Sequence, residues 1–172
     1  MLYLIIEGDN MKNQGYIEYT YKHRKVVMLL AEKYFGDNKE LLEQVRYHDL
    51  DKMYLYMFYD KDIVSKFHRK NSNHHFNEKD KTNLDYIEMV LDWESARYTK
   101  PDKPLNAYDT LYKYYTEEEK NILPILKEML IDKPNLPMEK DILDKIKSIT
   151  SISFNDLEKE LYDSISLIIG RK

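Results

Sequence analysis

The five histidines, His23, His48, His68, His74 and His75, fall between positions 23 and 75 of a 172-residue chain that has no cysteine. Imidazole and carboxylate are then the strong metal ligands on offer, and they suit Zn, Fe, Mn, Co or Ni where thiolate is absent. The missing cysteines also exclude a thiol nucleophile, a CxxC redox pair, Cys-based zinc or iron–sulfur sites and a disulfide framework. With only four glycines, at 8, 15, 36 and 170, neither GxGxxG nor GxxxxGK[ST] can be written, so both common glycine-rich phosphate cradles are excluded.

Spacing sharpens the metal reading. His48 and Asp49 are adjacent, so an imidazole and a carboxylate can be aimed at one ion while the carboxylate also bridges to a second. His23, His48, Asp49 and Asp92 give four ligands from three elements. His68 and His74 are too far round a continuous helix to share a face, but the run Asn71-Ser72-Asn73 predicts a break that folds them together for a second ion. His75 follows His74 directly and does not normally point the same way, so one of the two is expected as a ligand and the other as a substrate or outer contact. His74 takes the ligand role here and His75 the substrate role.

Glu88 lies one turn before Asp92 on the same helical face, where a ligand, a general base, a substrate contact or an acceptor behind the ligands would fit. Lys52, Lys66, Arg69, Lys70 and Arg97 are close to these positions in sequence and could neutralise phosphate, arginine with the better bidentate geometry. One or two divalent ions would acidify a bound water and polarise a phosphoryl oxygen, which is what phosphate-ester hydrolysis requires. Each residue alone has a plainer explanation: a core histidine at 23, a helix cap at 49, a solvated charge pair at 92. The clustering in order is what the plainer explanations leave out.

Helices must position this set, because helical periodicity dominates from Tyr16 onward. Tyr19, His23, Val26, Val27, Leu30 and Tyr34 form one stripe, closed at Gly36. Asp37 or Asn38 caps a second helix running to His48. A third is expected over 53–70. Thr82 and Asp85 form a capping box for a fourth, ended by Lys100-Pro101-Asp102-Lys103-Pro104. Residues 105–115, 117–131 and 153–169 continue as helices, with Thr116 and Ser153 as caps and Pro124 predicting a kink or break. Trp93 and the tyrosines at 108, 112, 114 and 115 are expected in packing. Lys133-Pro134-Asn135-Leu136-Pro137 reads as a linker, dividing a helical metal-binding domain at 16–131 from a tail at 132–172 that packs on the core or on a second copy of the chain, with Ile142, Leu143, Ile146, Leu157, Leu161, Ile165 and Ile168 as its apolar face.

In order, an isolated histidine, a His-Asp pair, further histidines and a helical aspartate resemble the HD-domain superfamily of metal-dependent phosphohydrolases. The stretches YHDLDK, HRKNSNHH and EMVLDW are similar to a small bacterial and phage branch with the approximate patterns HDxSK, HxxxNxHH and EMxxDW. The resemblance covers about residues 16–115. It implies an all-α HD-like bundle with His23, His48, Asp49 and Asp92 on one metal, Asp49 bridging, and His68 with His74 or His75 on a second metal or on substrate. It implies that Lys52, with Asp49 the expected catalytic pair, approaches the substrate or the nucleophile. Asp51 departs from the Ser or Gly usual before that lysine.

The count of 27 Lys+Arg against 31 Asp+Glu gives a net charge of -4, so charge alone gives no reason to expect duplex nucleic acid or an anionic membrane as partner. MLYLIIEGDN lacks the features of a secretory signal, and no stretch approaches the roughly 20 apolar residues of a membrane span. The expectation is a cytoplasmic protein of a bacterium or phage-infected host, carrying one or two ions of Mn, Fe, Co, Ni or Zn and acting on a small phosphorylated substrate, a nucleotide above all. An HD-related di-iron oxygenase and a non-catalytic phage-type nucleotide- or protein-binding inhibitor stay open beside it.

Overall fold

A computed structural model describes residues 12–100, 102, 104–149 and 154–170, the side chains of 154, 164 and 168 excepted. The protein is all-α, with no strand among the described residues. Its helices are α1 (Gln14–Phe35), α2 (Lys39–Val45), α3 (Leu50–Leu55), α4 (Lys61–Asn71), α5 (Asn83–Thr99), α6 (Ala107–Tyr114), α7 (Glu119–Glu128), α8 (Lys140–Ile149) and α9 (Phe154–Gly170), with a 3-10 turn at Thr116–Glu118 before α7.

The apolar stripe of α1 lies along α5. Val26, Val27, Leu30 and Ala31 meet Val90 and Leu91 there, and Leu41, Leu111, Ile122, Leu126 and Ile142 complete the main core. A second cluster, Ile17, Met53, Tyr56, Met57, Val64, Leu157 and Leu161, holds α3, α4 and α9 against the start of α1. The two helices beyond the proline-rich linker thus go to different places: α8 contributes Ile142 to the main core, and α9 contributes Leu157 and Leu161 to the second cluster. The proposed cap Ser153, together with Pro101, Lys103 and the side chain of Ile168, lies outside the described residues.

Local signals explain most helix ends. Asn38 caps α2 by accepting from the Leu41 amide at 3.0 Å, and Thr82 with Asp85 forms the capping box of α5. Gly36 ends α1 at φ -58 rather than in a left-handed turn. Glycine is required there because a Cβ would stand 2.7 Å from the Glu32 carbonyl oxygen. α7 runs through Pro124 without a break. The missing amide hydrogen leaves only the carbonyl of Lys120, in the exposed first turn, without its helical partner.

The helix expected over 53–70 is instead α3 and α4 with a turn between them. The Asn13 side-chain amide donates to the carbonyls of Tyr56 at 2.9 Å and Tyr59 at 2.8 Å. A side chain 43 residues away satisfies carbonyls that a continuous helix would have used, so the break has no local sequence signature. Trp93 stacks on Tyr115, rings 5.0 Å apart and 8° from parallel, and packs against the main core.

Candidate metal centre

His48 and Asp49 sit in the turn from α2 to α3, past the end of α2, with Asp49 in the N-cap position of α3 but its side chain making no cap bond. Asp49 has left-handed φ and ψ, 53 and 15, a conformation that Asp and Asn tolerate better than other non-glycine residues. Arg24, buried on α1, fixes the turn: its Nε donates to the His48 carbonyl at 2.7 Å and Nη2 to the Arg46 carbonyl at 2.7 Å. His23 comes from α1, His68 from α4, His74 and His75 from the loop after it, and Glu88 and Asp92 from α5.

These elements bring the side chains together in a continuous buried cluster. His23, His48 and Asp49 offer ligand atoms within 4.8 Å of one another, as do His48, His74 and Asp92, and as do His68, His74 and His75. Asp49 stands between the groups, with Oδ1 2.9 Å from His68 Nε2, 3.3 Å from His74 Nε2 and 3.7 Å from His48 Nε2. Asp92 Oδ1 is 2.7 Å from His23 Nε2 and 3.7 Å from His48 Nε2. His74 and His75 both join the second group, their rings tilted 47° with centroids 4.6 Å apart.

The opposite edge of each ring faces an acceptor. His48 Nδ1 meets Glu88 Oε1 at 2.9 Å, His68 Nδ1 meets Asp51 Oδ2 at 2.8 Å, and His74 Nδ1 meets Glu88 Oε1 at 3.1 Å and Ser72 Oγ at 3.0 Å. A carboxylate accepts only, so each of these rings in the neutral form that a metal ligand takes keeps its proton on Nδ1 and leaves a lone pair on Nε2. Three such lone pairs then surround Asp49 Oδ1. That buried oxygen has no hydrogen-bond partner, although ring nitrogens stand close by, because none meets it at a hydrogen-bonding angle. Acceptors converging without a donor call for a cation, and carboxylate behind histidine is the usual support of a metal-bound imidazole. The buried His/Asp groups could hold metal ions.

No protein-family profile, curated protein or solved structure matches the chain.

Solvent reaches the cluster at its edges, past Lys52 and Asp92 and past Asp51, whose side chain is 39% exposed. The side chains of Asp92 and Lys52 are 18% and 23% exposed, against 6% or less for His23, His48, Asp49, His68, His74 and Glu88. Lys52 Nζ donates to Asp49 Oδ2 at 2.9 Å. Glu88 lies behind the histidines, bonded to them and to Gln44, whose Nε2 donates to Oε2 at 2.7 Å. Arg69 and Lys70 are exposed at the end of α4. Arg97 is five residues past Asp92, about 140° further round the helix; it pairs with Glu94 and donates to the Leu136 carbonyl. Among the described residues, Arg24, Gln44, Asp51, Ser72 and Ser95 also serve the site; Asp51 and Ser72 lie inside YHDLDK and HRKNSNHH without a supporting role being read for them, and Arg24, Gln44 and Ser95 belong to no pattern that the sequence alone exposes.

Charge in the metal-free protein follows the geometry. Burial opposes a charge on His48, but Asp49, Asp92 and Glu88 outweigh it and push the imidazole up to about 10. Burial holds His75 down at about 3 and also lowers His23. Burial would raise Asp49, yet His48 and Lys52 hold it well below the carboxylate range; Asp92 is likewise lowered, burial being outweighed by His23 and His48. Raised His48 stabilises the fold below its ordinary 6.5, and that contribution is lost as pH climbs through about 10. Depressed His75 and His23 act oppositely, since the unfolded chain takes up their protons first as pH drops below 6.5. The lowered carboxylates add a further loss below about their ordinary 3.8. Urea midpoints in chelator are therefore expected to peak near pH 6.5 and decline toward both 4.5 and 9. A midpoint that stays flat from 6.5 to 9 would show that His48 is not held by these carboxylates.

Proposed function

We propose that this protein is a metal-dependent phosphohydrolase of HD type, cleaving a phosphomonoester or phosphodiester with a nucleotide as the expected substrate class. The observation that carries this reading is the orphaned Asp49 Oδ1 among imidazole lone pairs, joined to the ordered YHDLDK, HRKNSNHH and EMVLDW stretches. His23, His48, Asp49 and Asp92 would hold one ion, and His68, His74 and His75 a second that Asp49 shares. Divalent ions there supply Lewis acidity and acidify water at neutral pH.

The chain's own residues do the rest. Burial opposes the charge of Lys52, but Asp49 and Asp92 outweigh it and raise its pKa, so the ammonium stays charged at an open edge of the cluster and can neutralise a phosphoryl oxygen. Asp51 and Glu88 keep the rings turned with Nε2 inward. His23, His48, Asp49, His68, His74 and Glu88 are buried, which holds water to the edges of the cluster.

Elemental analysis of protein purified without an affinity tag tests the reading, followed by a nucleotide and phosphoester screen with the metal found. One or two equivalents of Mn, Fe, Co, Ni or Zn are expected, with phosphate released from a phosphomonoester or a new phosphomonoester formed from a phosphodiester. Absence of metal even after reconstitution would overturn it. Oxygen consumption by the ferrous protein without phosphoester cleavage would move the assignment to a di-iron oxygenase, and nucleotide binding without metal or turnover to an inhibitor.

A further inference from the structure

The geometry points to Glu88 as the positioning residue that couples the two ion groups. This inference rests on the two-ion reading and goes beyond it, because it adds to the shared ligand Asp49 a shared support behind the histidines. One oxygen of Glu88, Oε1, faces His48 Nδ1 at 2.9 Å and His74 Nδ1 at 3.1 Å. His48 groups with His23 and Asp49, and His74 with His68 and His75, while a third grouping joins His48 and His74 through Asp92; in the two-ion reading the first two groupings hold the ions and the two rings are where they meet. The two rings are themselves in contact, with centroids 4.2 Å apart.

Glu88 is well placed for this task. It is 5% exposed, and Gln44 Nε2 holds its other oxygen at 2.7 Å while also reaching Asp85 Oδ1 at 3.1 Å. Asp85 is in turn committed to the capping box of α5. The carboxylate is thus anchored from α2 and from the first turn of its own helix. Fixing Nδ1–H on one ring fixes the acceptor that sets Nε2 free on the other.

Asp51 and Ser95, by contrast, serve one group each. Asp51 touches only His68 among the ligands, at 2.8 Å. Ser95 Oγ touches only His23, at 3.4 Å. Changing Glu88 therefore weakens both ions together, and changing Asp51 weakens only the second.

Zn2+ titration against a chromophoric chelator, on wild type, Glu88→Gln and Asp51→Asn, tests this. Two ions are expected in wild type. Glu88→Gln is expected to lose about ten- to a hundredfold in affinity for both, the range that losing an outer-shell partner commonly costs, and Asp51→Asn for one. Nitrogen-15 spectra of the histidines add a readout that a merely structural role would not move: His48 and His74 lose their fixed Nδ1–H form in Glu88→Gln and keep it in Asp51→Asn. If circular dichroism shows that Glu88→Gln does not fold, Gln44→Ala replaces it, with a smaller and equal loss at both ions expected. Two ions in wild type with one affinity unchanged in the Glu88 or Gln44 variant would overturn the coupling and leave the phosphohydrolase reading standing. A wild type that binds a single ion also overturns the coupling, and one that binds none overturns both.

Discussion

Asp49→Asn is expected to strip the protein of bound metal and of phosphohydrolase activity while leaving its helical content intact. Asparagine is the informative replacement because residue 49 holds φ 53. Asn adopts that left-handed conformation readily, whereas alanine would add a backbone penalty of roughly 1 kcal/mol and confuse a loss of fold with a loss of ligand. The charge removed is the one between the two groups, with Oδ1 within 2.9, 3.3 and 3.7 Å of three imidazole nitrogens. Losing a ligand shared by both ions should cost each at least about a hundredfold in affinity, the upper end of what an outer partner costs. Elemental analysis of the variant beside wild type measures it. A variant that retains its full metal content would remove the His48–Asp49 pair from the ligand set.

Lys52→Met is expected to do the reverse, keeping the metal and losing turnover. The ammonium lies 2.9 Å from Asp49 Oδ2, at an open edge of a cluster whose ligands are mostly buried. It is fixed in place before any substrate arrives, the condition under which a charge lowers a barrier without reorganisation. Removing one such preorganised group commonly costs about 10²–10³ in kcat. Bound ions would take over its role as counter-charge to Asp49, so metal content should hold within error. Steady-state kinetics on metal-loaded protein decide it, and a kcat equal to wild type would exclude Lys52 from the chemistry.

The fold was legible where the physics is local. The stripe through His23, Val26, Val27 and Leu30, the Thr82–Asp85 box and the Asn38 cap each depend on residues within a turn or two. The break after Tyr56 depends on Asn13, 43 residues earlier, and no pattern near Tyr56 could announce it. The histidine and aspartate set was visible because residue type and order suffice to suggest ligands. Of their supports only Glu88 was open to reading, as one of several roles for a carboxylate a turn before Asp92; Asp51 looked like a departure from an expected Ser or Gly and proves to be the carboxylate behind His68. Arg24 gave no signal at all, because a buried arginine that binds carbonyls of a distant turn looks in sequence like one more solvated helix charge.

The division of α8 and α9 between two apolar clusters has a consequence for how the chain is made. Everything that carries His23, His48, Asp49 and Asp92 has been synthesised by the end of α5, and the main core beneath those residues can begin to consolidate as α6 and α7 follow. The cluster under α3 and α4 waits for Leu157 and Leu161 of α9, the last helix of the described chain. At translation rates of about 5–20 residues per second, several seconds separate the two events. The half of the centre that includes His68 and Asp51 is therefore the later to set, and until α9 emerges a nascent chain holds one half of its imidazoles aligned and the other still awaiting its floor.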